Sequence, residues 1–463
     1  MLSPLWDGFS YKPHQLVGVE WMLAREQSNP MGGILCDEMG LGKTMQMVGL
    51  LKNSPTARRS KTLLVAPVAV LQQWKVALLK AKMTVHVPDG SLPRWRLDGP
   101  IRPFSPQVYM IGYELLQRRS DIAIYSDWDR VIYDEAHRLA DSGGASYRVA
   151  QAIKRSSTWL LTATPIVNSI KDLRSLMTLV GAEHMEDYTS IELLRPTINR
   201  LVMSRTMDQL RATIPDAPPR PVSESVLLDF ATDEEAEFYK GMTGAITKRW
   251  RALDADWAPG AALEKLKLFM RLRQLSLHPQ IYIDARKKAL HGQYNRDDWD
   301  GSSTKFDRIC RMVETGGVHK WIVFCHFHKE MEMLKEMLEP VCKVQLYNGG
   351  MSAKEKEAVL EETKVGTETE VLLVQLQSGG TGLNLQHFDR IIFSGPWWTS
   401  ALMEQAIGRA VRIGQTEVVR VYYLKLKEEV ALNIDTYMFE KAAAKGALCR
   451  QVLGAANTQA LPL

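Results

Sequence analysis

Residues 37–44 read Asp-Glu-Met-Gly-Leu-Gly-Lys-Thr, a set of residue types that can bind phosphate. Gly40 and Gly42 allow the backbone to curl so that its N–H groups face an anion. Lys43 brings an ammonium group near the outer phosphates of a nucleotide, and the Thr44 hydroxyl can ligate magnesium. An apolar run precedes this loop and a helical pattern follows it, which is the context that nucleotide binding needs.

A second segment, Asp-Glu-Ala-His at 134–137, directly follows the apolar run 131–133. The end of a strand is where an α/β sheet presents ligand-binding groups. We predict that Asp134 holds magnesium, directly or through water, and that Glu135 orients the water that attacks a phosphate. An exposed acidic turn is the simpler alternative for this pair.

The first segment departs from a strict phosphate loop, because Asp37 stands where that pattern has glycine. A plain glycine turn is therefore the alternative interpretation there. It is weakened because both segments are predicted to follow strands in the same half of the chain.

The composition is that of a globular protein with two α/β domains. The chain has 463 residues, of which 45% are hydrophobic and 24% are charged. Its 58 basic and 53 acidic residues give a formal net charge of +5. Any basic surface for nucleic acid must therefore be local. No pair of the five cysteines has C-x-x-C spacing, so we expect a reducing compartment and no zinc. No apolar run approaches a membrane span, and no signal-peptide pattern opens the chain.

Unbroken apolar runs that end at polar or glycine-rich turns mark the predicted strands, and such runs suit parallel strands buried on both faces. They lie at 33–36, 62–66, 130–133 and 158–161 in the first half, and at 321–325, 371–374, 390–393 and 418–422 in the second. Helical patterns, such as 45–51 and 329–338, alternate with them. The prediction is an α/β fold with two doubly wound parallel sheets.

The region between these two sets has a different character. A proline-rich break at 214–221 is followed by a charged helical stretch from 233 to 290 and an exposed connection at 295–303. We expect an N-terminal lobe at 1–215, a helical insertion and linker at 216–300, a C-terminal lobe at 301–440 and a tail at 441–463.

Further along the chain, Leu-Thr-Ala-Thr-Pro occurs at 161–165 and Ile-Gly-Arg-Ala-Val-Arg-Ile-Gly-Gln at 407–415. Together with the first two segments, these motifs resemble the Swi/Snf family of DNA-dependent ATPases in helicase superfamily two. Secondary motifs of that family match as well, and the resemblance runs from about Tyr11 to Leu426. The secondary motifs lie at 11–15, 66–67, 73–74, 272–279, 377–385 and 396–398.

The resemblance implies two RecA-like lobes that close on ATP and Mg²⁺. Arg409 and Arg412 would then act as arginine fingers, since guanidinium groups match phosphate oxygens and two arginines three apart share one helical face. A pair of surface arginines is the alternative. The residues expected at ATP are Gln15, Asp37, Gly40, Gly42, Lys43, Thr44, Gly382 and Gln405, with Thr44 and Asp134 at magnesium.

The family also implies double-stranded DNA as the partner, gripped through its backbone without base readout. A nucleosome or another DNA-bound protein is a candidate target. The matching positions are Pro67, Thr162, Thr164, Asn348, Ser378, Gly379 and Trp397. Two alternatives are open here: Trp397 could be a core or inter-lobe packing residue, and Asn348-Gly349 could be a simple turn.

Three positions depart from the family pattern: Val167, Gly395 and Val411. None of them is a predicted phosphate or magnesium ligand, so the departures concern coupling more than hydrolysis. A strand-separating helicase and a non-hydrolysing clamp are the competing functions, although Lys43, Glu135 and Arg412 argue against the clamp. The expected location is DNA-associated and intracellular, and nuclear if the source is eukaryotic.

Overall fold

The computed structural model describes residues 2–54, 60–90, 92, 94–102, 104–185, 190–254, 260–366, 368–376, 383–397, 399–427 and 433–454. The chain divides into two units. The first contains Met1–Ala217 and Ala444–Leu463, and the second contains Pro218–Ala443. Each unit is built on its own mainly parallel sheet flanked by helices, which confirms the predicted α/β class with two parallel-sheet lobes.

The sheet of the first unit has the order β4-β3-β5-β2-β6-β7-β1-β8, and all its neighbours are parallel except β3 and β4. Its strands are β1 (Gly32–Leu35), β2 (Lys61–Ala66), β3 (Thr84–Pro88), β4 (Trp95–Leu97), β5 (Gln107–Gly112), β6 (Trp128–Asp134), β7 (Arg155–Leu161) and β8 (Val202–Met203). The central strands β2, β6, β7 and β1 are the four predicted from apolar runs, and their apolar side chains are buried on both faces of the sheet.

Helices connect and cover these strands. They are α1 (Pro13–Arg25), α2 (Lys43–Asn53), α3 (Val68–Lys80), α4 (Tyr113–Arg118), α5 (Asp121–Ile124), α6 (Ala145–Ala152), α7 (Ile170–Val180), α8 (Ile191–Leu201) and α9 (Met207–Leu210). Short 3-10 turns follow β6 at Ala136–Leu139 and α9 at Arg211–Thr213.

The sheet of the second unit is parallel throughout, in the order β11-β12-β10-β13-β14-β9. Its strands are β9 (Val222–Leu228), β10 (Lys320–Cys325), β11 (Lys343–Tyr347), β12 (Glu370–Gln375), β13 (Arg390–Phe393) and β14 (Arg420–Leu426). Its helices are α10 (Asp233–Asp254), α11 (Ala261–Leu277), α12 (Pro279–Ala289), α13 (Thr304–Thr315), α14 (His328–Leu338), α15 (Ala353–Glu362) and α16 (Ser400–Ile407).

The last helix, α17 (Ile434–Gly454), begins in the second unit, and its residues from Ala444 onward belong to the first. In the described part of the chain, no helix is both long enough and apolar enough to cross a membrane.

Alternating side chains of each sheet fill two separate cores, one on each face. On β6, Val131 and Tyr133 point into one core of the first unit, while Ile132 points into the other. On β10 of the second unit, Val323 lies in one core and Phe324 in the other. This two-sided burial is what an uninterrupted apolar strand requires, because successive side chains of a strand face opposite ways.

Several elements follow the sequence expectations and others do not. Each of the eight predicted strand segments overlaps a strand, residues 214–221 are irregular, and the helical stretch 233–290 contains α10, α11 and α12. Strands β3, β4, β5, β8, β9 and β11 were not predicted. β9 was missed because it lies at the edge of its sheet, where five of its seven residues are exposed and three consecutive polar residues, 223–225, interrupt the apolar pattern.

A fully buried ion pair and its hydrogen bonds join four elements of the second unit. Lys305 on α13 and Asp435 on α17 are both 0% exposed, with Nζ and Oδ2 2.7 Å apart. Asp435 also accepts hydrogen bonds from Ser276 Oγ (3.0 Å) and from the backbone N–H of Leu426 (3.0 Å). Each oxygen of the carboxylate is therefore satisfied, which is the condition under which a buried charge is tolerated.

Replacing Lys305 with Ala leaves the Asp435 carboxylate buried without its counter-charge. We expect the free energy of unfolding to fall by about 3–5 kcal/mol, measured by urea denaturation followed by circular dichroism. The matched control is Lys364→Ala, which breaks a pair with Glu361 whose side chains are 47% and 65% exposed and should leave the midpoint nearly unchanged. Equal midpoints for the two variants would contradict the assignment.

Candidate active site

Strand register brings the predicted catalytic segments of the first unit to one edge of its sheet. Asp134 at the end of β6 pairs with Leu161 of β7, and Leu161 pairs with Leu35 of β1. Leu35 in turn pairs with Met203 of β8. Because these strands are parallel, the residues that follow each of them emerge side by side at the carboxyl edge of the sheet, where α/β proteins bind ligands.

The phosphate-loop candidate adopts a conformation that requires its glycines. Gly40 and Gly42 have φ angles of 87° and 77°, a region that side chains other than glycine rarely occupy. A Cβ atom at Gly42 would also lie 2.5 Å from Nε2 of Gln15. α2 begins at Lys43, immediately after Gly42, so the N–H groups of its first turn are directed toward the loop.

Two predicted nucleotide residues contact this loop directly. Lys43 Nζ donates to the backbone carbonyl of Asp37 at 2.6 Å and to that of Glu38 at 3.5 Å. Gln15 is buried on α1 and donates from Nε2 to the carbonyl of Leu41 at 3.4 Å. The backbone carbonyls of the loop therefore position both side chains that were predicted to bind the nucleotide.

Two hydrogen bonds fix the carboxylate of Asp134, and a third holds its backbone carbonyl. Trp74 Nε1 donates to Oδ2 at 2.7 Å, the backbone N–H of Glu135 donates to Oδ1 at 2.9 Å, and Tyr113 Oη donates to the Asp134 carbonyl at 2.8 Å. Burial and the neighbouring charge of Glu135 raise the pKa of Asp134 to about 6, while the charge of Lys43 acts in the opposite direction.

Glu135 occupies a left-handed backbone conformation, with a φ of 51°. Such a conformation is uncommon for a residue with a side chain and clusters at functional sites. Its Oε2 lies 3.4 Å from Nδ1 of His137, and that nitrogen lies 3.4 Å from Oγ1 of Thr162. Thr162 Oγ1 also accepts from the N–H of Thr164 at 3.1 Å. A short polar chain therefore runs from Glu135 to the segment after β7.

The donor set at this edge fits magnesium. Asp134 supplies a carboxylate whose two oxygens each accept a hydrogen bond and keep a lone pair, and Thr44 supplies a hydroxyl next to Lys43. Mg²⁺ is typically held by one or two protein oxygens together with substrate phosphates and water. Among the described residues, no group of three or more His, Cys, Asp or Glu side chains is arranged to hold a metal ion by itself.

The predicted arginine pair lies in the second unit, just after α16. That helix ends at Ile407, so Arg409 and Arg412 lie in the turn that follows it rather than on a helical face as expected. The turn tightens there, with backbone bonds such as Arg409 N–H to the Ala406 carbonyl at 3.1 Å.

The two arginines differ in exposure, because Arg409 is buried and Arg412 is partly buried. Arg409 is 4% exposed, and Arg412 Nε donates to the carbonyl of Gly408 at 2.9 Å. Burial and the charge of Arg409 lower the pKa of Arg412 to about 10. Gln405, predicted at ATP, is buried on α16.

The predicted DNA residues are placed as follows. Pro67 is buried immediately before α3, and Thr162 and Thr164 are buried after β7. Asn348 Oδ1 accepts from the N–H of Gly350 at 2.9 Å, as the turn interpretation expects. Contact of these positions with DNA stays a prediction. Three predicted residues, Ser378, Gly379 and Gly382, lie outside the described residues, as does Trp398.

Trp397 belongs to a packed stack within the second unit. The ring of His326 lies parallel to it with centroids 5.3 Å apart, and the Arg273 guanidinium lies 4.8 Å from its ring. Arg273 also hydrogen-bonds to Nδ1 of His326 at 2.7 Å. The stack agrees with the packing alternative for Trp397 and leaves its contact with DNA a prediction.

Sequence reasoning gave no role to two residues at the carboxyl edge of the first sheet. Trp74 was noted only as part of a family motif, and its contact with Asp134 spans 60 residues. Arg205, which follows β8, ion-pairs with Asp37 across 168 residues and was not singled out. A lone arginine after a two-residue strand carries no periodic signal that could have identified it.

Two family models match successive parts of the chain. The family described as SNF2-related domain matches residues 14–281, and the helicase conserved C-terminal domain matches residues 304–414. A solved structure, the Sulfolobus solfataricus SWI2/SNF2 ATPase core in complex with dsDNA, aligns over 100% of both chains at 22% identity with a TM-score of 0.44.

Three curated relatives differ in how much of their own length this chain covers. A probable global transactivator of Orgyia pseudotsugata multicapsid polyhedrosis virus is 26% identical, covering 94% of this chain and 90% of the relative. The putative ATP-dependent helicase/translocase YwqA of Bacillus subtilis is 24% identical, covering 95% and 49%. The ISWI chromatin-remodeling complex ATPase ISW2 of Saccharomyces cerevisiae is 25% identical, covering 94% and 40%.

The chain therefore spans most of the viral relative but half or less of the bacterial and yeast relatives. The SNF2-related match covers more than half of the chain and includes both segments that form the carboxyl edge of the first sheet. These matches confirm the resemblance found from the sequence motifs: the chain belongs to the SNF2-related family.

Proposed function

We propose that this chain is an ATP hydrolase stimulated by duplex DNA, and that hydrolysis drives its movement along the duplex. The observation that carries the proposal is the register of the first sheet, which brings the phosphate loop, the Asp134-Glu135 pair and Thr162 to one edge. Relatives in the same family are named ATP-dependent helicases and a remodelling ATPase.

The residues of the phosphate loop bind and orient the nucleotide. The N–H groups at the start of α2 receive the phosphates, where the helix dipole favours negative charge. Lys43 keeps one N–H on the Asp37 carbonyl and directs its other donors to the outer phosphate oxygens. Gln15, already seated against the loop at Leu41, contacts the adenine base.

Glu135 accepts a hydrogen bond from the attacking water and aligns it with the γ-phosphate. Asp134 and Thr44 would hold Mg²⁺, which supplies charge neutralisation at the phosphates when bound. Trp74 keeps Asp134 in one orientation through its 2.7 Å hydrogen bond, and an oriented second-layer partner of this kind commonly sharpens metal affinity.

Arg409 and Arg412 stabilise the negative charge that develops on the transferred phosphoryl group. This role requires that the second unit approach the nucleotide during the cycle, so that ATP lies between the two lobes. The proposal is supported by the burial of Arg409 and the partial burial of Arg412, since a desolvated guanidinium interacts more strongly with phosphate than a solvated one.

Coupling to DNA starts at the polar chain that joins Glu135, His137 and Thr162. A change at the γ-phosphate is passed through this chain to the segment containing Thr164, and the grip on the DNA backbone changes with it. Contacts of this kind need no base recognition. A nucleosome or another DNA-bound protein remains a candidate target.

The proposal predicts a specific order of ATPase rates. With saturating ATP and Mg²⁺, phosphate release should be slow alone, modestly faster with single-stranded DNA or RNA, and at least ~10-fold faster with duplex DNA, since the coupled cycle needs a duplex backbone. Initial rates at equal nucleotide concentrations of each polymer provide the measurement. A rate indifferent to added duplex would refute the DNA-dependent function.

The control for this series is Lys43→Ala, which removes the ammonium group without touching the DNA surface. It should abolish phosphate release while leaving duplex binding, measured by fluorescence anisotropy, within about twofold of the wild type. Undiminished turnover in this variant would remove the assignment of the ATP site.

Replacing Trp74 with Phe keeps most of the buried ring but deletes the N–H donor to Asp134. We expect the Mg²⁺ concentration for half-maximal ATPase to rise by about 10-fold, with a smaller change in the rate at saturating Mg²⁺. A magnesium titration at fixed ATP measures both quantities.

The matched control is Trp128→Phe on the same sheet. Trp128 is 3% exposed and its Nε1 donates to the Ala123 carbonyl at 2.8 Å, at the opposite end of β6 from Asp134. It should lose stability without a change in magnesium dependence. If both variants shift the magnesium titration equally, Trp74 has no specific role at Asp134.

A further inference from the structure

The phosphate loop carries a carboxylate where strict phosphate loops carry glycine. Asp37 is 0% exposed, and an ionised carboxylate with no access to water requires strong compensating partners. A negative charge beside a polyphosphate site is also unfavourable for substrate binding unless it is neutralised. The structure supplies the compensation from a distant part of the same unit.

The partner is Arg205, two residues beyond β8. Its Nε donates to Asp37 Oδ1 at 2.9 Å and its Nη2 to Oδ2 at 2.5 Å, a two-point contact. The side chain of Arg205 is 8% exposed. This geometry follows from strand register, because Leu35 pairs with Met203 and each of the two charged residues lies two positions further along its strand.

The remaining donors of the guanidinium are also used. Nη1 of Arg205 donates to the carbonyl of His14 at 2.5 Å, and Nη2 donates to Gln46 Oε1 at 2.8 Å. Gln46 Nε2 closes the ring by donating to Asp37 Oδ2 at 2.9 Å. The network therefore joins the start of α1, the phosphate loop and α2 around one arginine.

The space around this network is tightly filled. A Cβ atom on Gly18 of α1 would lie 1.9 Å from Gln46 Oε1 and 2.9 Å from Arg205 Nη2. Such a distance leaves no room for any larger residue at that position. The helix approaches closely because it lacks a side chain there.

Backbone bonds hold the same two segments in parallel. The N–H of Cys36 donates to the Met203 carbonyl at 2.6 Å, and the N–H of Glu38 donates to the Arg205 carbonyl at 2.8 Å. The carbonyl of Asp37 then receives Lys43 Nζ at 2.6 Å. The residue that pairs with Arg205 is thus the residue that positions the lysine.

We propose that Arg205 is a positioning residue for ATP binding: by clamping Asp37 it sets the first turn of the phosphate loop and, through the Asp37 carbonyl, the place of Lys43. The inference rests on the proposed ATP site. It explains why this loop has Asp37 in place of glycine, since the aspartate ties the loop to the segment after β8 instead of touching the nucleotide.

The test compares Arg205→Met with a matched removal of a buried arginine elsewhere in the unit. Arg130 on β6 is 2% exposed and makes a two-point contact with Glu26, both at 2.5 Å, with further donation to Thr62 and Ser54. It lies near the start of its strand, far along the strand from Asp134. Arg130→Met therefore measures what losing a buried ion pair does to the fold alone.

At a temperature where circular dichroism shows both variants folded, we expect R205M to raise the KM for ATP and the Kd for a fluorescent ATP analogue at least 10-fold. R130M should lower the Tm by about as much as R205M does, but it should leave the KM and the Kd within twofold of the wild-type values. A KM unchanged in R205M, or raised equally in R130M, would overturn the proposal.

Arg205→Lys provides a variant that keeps the charge should R205M fail to fold. Lysine retains one contact with Asp37 but lacks the planar fork, so KM should rise three- to fivefold with little loss of Tm. A wild-type KM for R205K in that case would overturn the inference. If Lys43→Ala loses turnover but the Arg205 variants keep a normal KM, only the role of Arg205 is rejected. If Lys43→Ala keeps full turnover, the proposed ATP site itself is rejected.

Discussion

Parallel register in the first sheet is the constraint on which the site depends. One row of paired residues, Asp134, Leu161, Leu35 and Met203, crosses four strands. In the first unit, the phosphate loop, Glu135, Thr162 and Arg205 each follow a strand of that row. The apolar strands pack on both faces of the sheet and thereby fix this row. Hydrophobic packing therefore sets the positions of the polar groups that follow it.

Burial also decides how charge is handled in this protein. Asp37 and Asp435, each 0% exposed, are both neutralised by a buried basic side chain and by hydrogen bonds to each carboxylate oxygen. Asp134 differs, because its oxygens accept hydrogen bonds but it has no cationic partner in direct contact among the described residues, and its pKa is raised. A carboxylate left short of positive charge at a phosphate site is suited to receive a cation.

The sequence was informative wherever function follows local pattern. Apolar runs ending at Asp-Glu or at a glycine loop predicted both the central strands and the ligands after them, because strand ends are local features. Local sequence pattern could not predict the roles of Trp74 and Arg205. Their contacts with Asp134 and Asp37 form only when the helices and strands have packed together. The helical placement of Arg409 and Arg412 was wrong because α16 ends before them, at Ile407.

The central claim is that ATP binds at the carboxyl edge of the first sheet and meets Arg412 during hydrolysis. The most direct measurement is a crystal or electron cryomicroscopy structure of the chain with duplex DNA, Mg²⁺, ADP and aluminium fluoride. The account predicts the fluoride group within hydrogen-bonding distance of Lys43 and Arg412, and Mg²⁺ beside Thr44 and Asp134. A nucleotide bound elsewhere, or Arg412 remote from the fluoride group in that state, would contradict it.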